Sequence, residues 1–118
     1  MDIREIYDAM AAEYDQRHFR LGSAAEYVET RRLSVIHPYL RRARGARVLD
    51  AACGTGIYSV VARDLGARVV ACDISEKMIG ICRAKDLGDL FVSDYHARPF
   101  REEAFDLTLC LNAIHYSA

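Results

Sequence analysis

Apolar positions recur at helical spacing through the first forty residues and then switch to a repeating strand, turn and helix. Ile3, Ile6, Tyr7, Met10, Ala11 and Tyr14 fall at steps of three and four, which predicts one apolar face of an amphipathic helix over 2–17. The stretch "HFRLGS" breaks that spacing. Ser23 with Glu26 three positions on then forms a capping box for a second helix bearing Tyr27, Val28, Ile36 and Leu40. Arginines crowd its end and Gly45 stops it, as C-terminal preferences require.

After Gly45 come four apolar runs, "RVLDAAC", "ARVVACD", "DLFVSD" and "FDLTLCLNAI". Between the first two, "GTG" makes a turn and "IYSVVARDLG" a helix with Ile57, Val60, Val61 and Leu65 inward and Gly66 as its stop. Between the second and third, Ser75 can cap a helix bearing Met78, Ile79 and Cys82; "HARPFREEA" is a loop. Near-continuous apolar strands separated by helices indicate a parallel sheet buried on both faces. The expected fold is a doubly wound, Rossmann-like α/β domain preceded by two helices, with no linker, repeat or low-complexity segment.

Such sheets bind ligands beyond the carboxyl ends of their strands. The tips here are Asp50 to Gly56, Asp73, Asp94 with Tyr95, and Leu111 to His115. A glycine turn opening a helix usually favours an anion, yet Asp50 would repel one. A ligand carrying a sulfonium or ammonium group fits better, and Gly54 and Gly56 let the backbone approach it without a Cβ in the way. Asp73, at the tip of the second strand, suits the two hydroxyls of a ribose; the plainer alternative is an Asp favouring the dipole of the helix after it. Asp94 is within reach of an exocyclic amine, or else forms a turn.

Composition narrows the field. Hydrophobic residues make up 52% and charged residues 28%, a balance that supports a folded core in a chain of 118 residues. No apolar run approaches the ~20 residues of a membrane span, and the polar start "MDIREIYDAM" argues against a secretory signal. A cytoplasmic protein is expected. Cys53, Cys72, Cys82 and Cys110 show neither a C-x-x-C pair nor a His partner at metal spacing, so buried reduced thiols are expected and a metal site is not. The net charge of −1 predicts no general affinity for nucleic acid. Against that, Arg31 to Arg47 holds six arginines and no acid: a solvated helix end, or a surface for an anionic substrate, an RNA or an acidic partner.

Taken together, "VLDAACGTG", "VVACDIS" with Met78, "FVSD…RPF" and "FDLTLCLNAIH" resemble the N-terminal part of class I S-adenosylmethionine-dependent methyltransferases. The likeness is to the small-molecule, type 11 group related to ubiquinone and menaquinone C-methyltransferases. "YDAMAAEYD" is similar to the helix that lids the cofactor in that group, which makes 1–45 a helical lid segment and 46–118 the core of a single S-adenosylmethionine-binding domain. The resemblance implies that Gly54 and Gly56 pack against the methionine portion, with Asp50 behind them orienting the turn. It gives Asp73 the ribose, Ile74 and Met78 the borders of the adenine, and Asp94 the adenine amino group with help from the Tyr95 backbone. Leu111 and Asn112 pass beneath the methionine amino group, and Tyr14 closes over the cofactor. Ala52 stands where the family often has glycine. If a general base assists, His115 is the candidate.

The resemblance also implies a seven-stranded sheet in the order 3-2-1-4-5-7-6, of which this chain carries 3-2-1-4. The expected activity is methyl transfer to a small-molecule acceptor, completed by a longer chain or by a homo- or hetero-oligomeric partner pairing with the fourth strand. A non-catalytic S-adenosylmethionine-binding or regulatory subunit is the alternative. A nicotinamide-binding domain is a weaker one, since Ser59 stands where G-x-G-x-x-G needs its last small residue. A phosphate loop lacks its Lys-Ser or Lys-Thr pair.

Overall fold

Each strand-turn-helix unit forms where the apolar pattern places it. Helix α1 (Ala24–Arg42) leads to β1 (Arg47–Ala51), α2 (Ile57–Asp64), β2 (Arg68–Asp73), α3 (Glu76–Ala84), β3 (Asp89–Val92) and β4 (Leu107–Leu109). The computed structural model describes Arg4, Glu5, Asp8, Ala11 and residues 24–94 and 104–111. Arg4, Glu5 and Asp8 are helical and Ala11 is buried; the other residues of the first expected helix, and Ser23 of the expected capping box, lie outside the described residues.

The strands form one parallel sheet in the order β3-β2-β1-β4, as expected. Central β1 pairs on both sides, which sets Asp50 between Ala71 of β2 and Leu109 of β4. Helix α2 packs on β1 and β2, α3 on β2 and β3, and α1 against α2. Val48, Ala71, Met78, Ile79 and Cys82 meet in one core, which Leu40 of α1 joins. The expectation that every strand is buried on both faces holds for β1 and β2. At the edge, β3 leaves Phe91 and Val92 each 47% exposed. The fourth strand is shorter than its apolar run, which extends beyond the described residues.

Two helix faces differ from the pattern. On α1, Tyr27 and Val28 point outward, at 63% and 42% exposure, and the inward row is Leu33, Ile36 and Leu40. The helix is polar enough at its start that position relative to α2, not apolarity, selects that row. On α2 the buried residues are Ile57, Tyr58, Ser59 and Ala62, while Val60, Val61 and Leu65 are only half-buried. Small Ser59 and Ala62 let the helix approach the sheet closely. Ser75 caps α3 as expected, its hydroxyl accepting the Met78 N–H at 3.2 Å. At the far ends of α2 and α3, Arg63 donates to the carbonyls of Lys85 and Asp86 and fastens the two helices together.

The turn between β1 and α2 depends on Gly56. Its φ is +85°, and a Cβ there would overlap Leu87 Cδ1 and stand 3.1 Å from Cys82 Sγ. Gly45, at φ +76°, has open space where its Cβ would sit. Gly56→Ala is therefore expected to cost roughly 3 kcal/mol, left-handed strain plus overpacking, and Gly45→Ala about 1 kcal/mol, strain alone. Urea denaturation of both variants checks this, and equal losses would contradict it.

Candidate cofactor crevice

The tips of β1 and β2 are joined by one carboxylate. Asp73 Oδ2 accepts the Gly54 N–H at 2.8 Å, and Oδ1 accepts the Ser75 N–H at 2.9 Å. A single side chain at the end of β2 thus holds the glycine turn after β1 to the turn that starts α3. Asp73 is 6% exposed, and burial pushes its carboxyl above the ordinary value against the pull of these N–H donors. The Ile74 N–H also acts on the carboxylate, so three backbone donors meet a group with about four lone-pair sites. Cys53 N–H donates to the Cys72 carbonyl at 2.9 Å, a second tie between the same two tips.

Asp50 explains itself through α2. That helix starts at Gly56 in a left-handed conformation with no side-chain cap of its own. Asp50, at 2% exposure inside β1, accepts the Ser59 hydroxyl at 2.6 Å and a backbone hydrogen bond from Ser59, a first-turn residue of α2. The strand carboxylate therefore caps the helix across the turn, where the helix dipole favours negative charge. Burial nonetheless raises its pKa to about 7, with a further upward push from Asp73. Ser59, which the sequence marks only as a departure from a dinucleotide fingerprint, is thus a partner of the site. Its signal was the need of a strand-buried Asp for a donor.

The glycine turn carries three left-handed residues, Ala52 at φ +57°, Gly54 at +58° and Gly56 at +85°. Ala52 occupies a conformation that only glycine adopts freely, which gives a physical reason for glycine being at home there. Behind the turn, Cys82 Sγ donates to the Gly54 carbonyl at 3.2 Å and lies 3.9 Å from Cys53 Sγ. Lys85 Nζ donates to the Thr55 carbonyl at 2.9 Å. Gly56 therefore serves close packing against α3 and Leu87, a role the reading of it as an opening for ligand left out.

Asp50, Ala52, Gly54, Gly56, Asp73 and Ile74 are brought together at the tips of β1 and β2. Met78 has no exposed surface and packs in the core behind Ser75. Asp94 is exposed just past β3, and Leu111 is half-buried against the core. Tyr14, Tyr95, Asn112 and His115 lie outside the described residues. Cys53, Cys72 and Cys82 are buried free thiols, and burial raises the Cys72 thiol above its usual value. Among the described residues no group of three His, Cys, Asp or Glu is placed to hold a metal, and no helix is long and apolar enough to cross a membrane. In the arginine stretch, Arg31 lies 5.9 Å over the Tyr27 ring, and Arg47 pairs with Asp106 at 3.5 Å.

Residues 49–118 match the family model described as a methyltransferase domain. The chain belongs to this family. Within the methyltransferase-domain family it is 30% identical over 112 residues to the demethylmenaquinone methyltransferase of Clavibacter sepedonicus, covering 88% of this chain and 43% of that protein. It is 41% identical over 69 residues to the malonyl-[acyl-carrier protein] O-methyltransferase of Erwinia pyrifoliae, covering 58% and 26%. The magnesium protoporphyrin IX methyltransferase of Synechocystis PCC 6803, solved with bound S-adenosylmethionine, shares the fold with a TM-score of 0.73 at 22% identity, covering 97% of this chain and 62% of that one. The chain thus spans less than half the length of these two curated methyltransferases.

The Asp50 carboxyl makes stability depend on pH in a defined direction. Its folded pKa of about 7 exceeds the unfolded 3.8, so the folded state binds the extra proton and stability falls as pH rises from about 4 through 7, by roughly 4 kcal/mol for this group. Asp50→Asn, which keeps an acceptor oxygen toward Ser59, is expected to remove that part of the slope. Urea midpoints of parent and variant at pH 4.5, 6 and 8 measure the difference, and parallel profiles would contradict it.

Proposed function

We propose that this methyltransferase domain binds S-adenosylmethionine across the tips of β1 and β2 and serves methyl transfer to a small-molecule acceptor. The observation that carries the reading is Asp73, whose carboxylate joins both tips at the end of β2. The demethylmenaquinone methyltransferase among the relatives supports a small organic acceptor.

The donor set fits the cofactor. Asp50 and Asp73 are both raised by burial, and a ligand carrying positive charge offsets the electrostatic cost of keeping two carboxylates out of water. When bound, S-adenosylmethionine supplies a methyl group activated on a sulfonium, which leaves as a neutral thioether after in-line displacement. Asp73 accepts from the ribose hydroxyls at the lone-pair capacity its backbone donors leave. The turn through Ala52, Gly54 and Gly56 takes the methionine portion, held from behind by Asp50 and Ser59. Ile74 borders the adenine with Met78 in the core behind it, and Asp94 and Tyr95 take the amino group. Leu111 and Asn112 pass beneath the methionine amino group, Tyr14 closes the site, and His115 is the candidate base. Alignment is the protein's largest contribution, for which ~7–11 kcal/mol is available from orientation. Further strands pair beyond β4, supplied by more of the same chain or by a partner chain, and complete the acceptor side.

Calorimetric titration at pH 7 tests the reading. S-adenosylmethionine is expected to bind and to release protons, because its positive charge lowers the pKa of the buried carboxylates. Asp73→Ala is expected to weaken binding at least roughly tenfold, the loss of hydrogen bonds to a charged group. NADH is expected to give no heat. Monodisperse protein that ignores S-adenosylmethionine, or an Asp73→Ala variant that binds as the parent does, would overturn the assignment.

A further inference from the structure

Two free thiols meet beneath the glycine turn, and methyl transfer calls for neither. Cys53 Sγ and Cys82 Sγ lie 3.9 Å apart, although 29 positions separate them in the chain. Cys53 stands in the turn after β1 and is 7% exposed; Cys82 belongs to α3 and has no exposed surface. Both thiols share one acceptor, since the Gly54 carbonyl takes the Cys82 thiol at 3.2 Å and the Cys53 thiol at 3.5 Å. A Cβ at Gly56 would stand 3.1 Å from the Cys82 sulfur. That sulfur therefore underlies the turn from Cys53 to Gly56.

A disulfide holds its sulfurs about 2.05 Å apart, so a closure of roughly 2 Å joins this pair. The turn is the side that gives. Cys82 packs in the core with Met78 and Ile79, whereas Cys53 lies between Ala52 and Gly54, both left-handed. Oxidation removes two electrons and two protons from the two thiols, and a small disulfide accepts them in two exchanges. In the first, the Cys53 thiolate attacks one sulfur of the oxidant and expels the other as a thiol. In the second, the Cys82 thiolate attacks the Cys53 sulfur of the mixed disulfide and expels the second thiol; the two protons end on the two released thiols. Only the first exchange brings the oxidant to the protein, and it falls on the more exposed thiol. The thiolate is the attacking form, while the hydrogen bond with Cys82 and burial hold the Cys53 thiol protonated above its usual range. The first exchange therefore waits for the turn to open.

The geometry points to Cys53 and Cys82 as a modification site, a pair that a small disulfide oxidant links covalently, and to the linked form as an off state of the crevice. The new bond takes both S–H donors from the Gly54 carbonyl and draws Cys53 toward α3. Gly54 rotates more freely than any other residue would, and its own N–H is the one that Asp73 accepts. A change at the carbonyl thus reaches the bond that ties the turn to β2. Displaced from Asp73, the turn no longer presents the backbone on which the methionine portion of the cofactor rests. This consequence rests on the proposed role of the turn; the disulfide itself does not. Linkage makes the effect reciprocal: a ligand that binds the dithiol form more tightly also stabilises that form, so S-adenosylmethionine protects the pair from oxidation.

The test equilibrates the full chain in mixtures of glutathione and glutathione disulfide, with and without S-adenosylmethionine, and maps the products by mass spectrometry after alkylation of free thiols. A Cys53–Cys82 link is expected, with Cys72 and Cys110 alkylated and the link reversed by dithiothreitol. Cys82→Ala is expected to stop at the mixed disulfide of glutathione on Cys53. Saturating S-adenosylmethionine is expected to slow formation of the link roughly tenfold, and the oxidised chain to bind it roughly tenfold more weakly in calorimetric titration. No Cys53–Cys82 link in the folded chain, or a link that joins other cysteines, would overturn the assignment of the pair. A correctly linked chain whose affinity stays within about twofold of the reduced form would overturn the off state. A reduced chain that binds no S-adenosylmethionine would instead overturn the proposed function, and the pair would then be judged by its linkage alone.

Discussion

A carboxylate shared by two backbone amides is the constraint on which the crevice depends. Asp73 accepts Gly54 N–H from the turn after β1 and Ser75 N–H from the turn after β2. Parallel pairing of β1 with β2 brings the strand ends level, with Ala51 beside Cys72, and the Cys53 N–H to Cys72 carbonyl bond carries the pairing one step past β1. With Asp73 in place, both turns point their amides at one side chain. The cost is a nearly dry carboxylate, and its raised pKa records that cost.

Asp50 solves a second problem at the same place. A glycine turn in the left-handed region cannot supply the side-chain cap that most helices receive at their N-terminus, and α2 begins with such a turn. Reaching from β1, Asp50 caps it through Ser59. The arrangement sets a buried carboxylate behind the turn, where an anion would otherwise be favoured. A carboxylate there disfavours an anion at the turn, which agrees with the proposed cationic ligand. Fold and electrostatics agree with membership of the methyltransferase-domain family.

Much of this was legible in the amino-acid order. Strand runs, the turn at Gly54 to Gly56, the Ser75 cap and the inward row Met78, Ile79 and Cys82 follow from local spacing, and local spacing is what a sequence displays. The inward row of α2 was read in part, with Ile57 buried and Val60, Val61 and Leu65 half-buried against the core, because apolar periodicity counts large side chains. The sheet instead selected small ones at Ser59 and Ala62, one of them polar and needed by Asp50. The hydrogen bond from the Ser75 hydroxyl to Asp8 was invisible for a different reason. It joins residues 67 positions apart, and an acid near the start of the chain looks like any solvated residue until the fold brings α3 beside it. The expected roles of Tyr14, Tyr95, Asn112 and His115 rest on resemblance, as these residues lie outside the described structure.

The shared carboxylate can be watched directly by following the Gly54 and Ser75 amide protons by NMR as pH is varied, without and with S-adenosylmethionine. Both amides are expected to titrate with one common midpoint above the ordinary Asp value, and that midpoint is expected to fall when the cofactor binds. Two unrelated midpoints, or a common one that the cofactor leaves unmoved, would contradict the claim that Asp73 joins the two turns and faces the bound ligand.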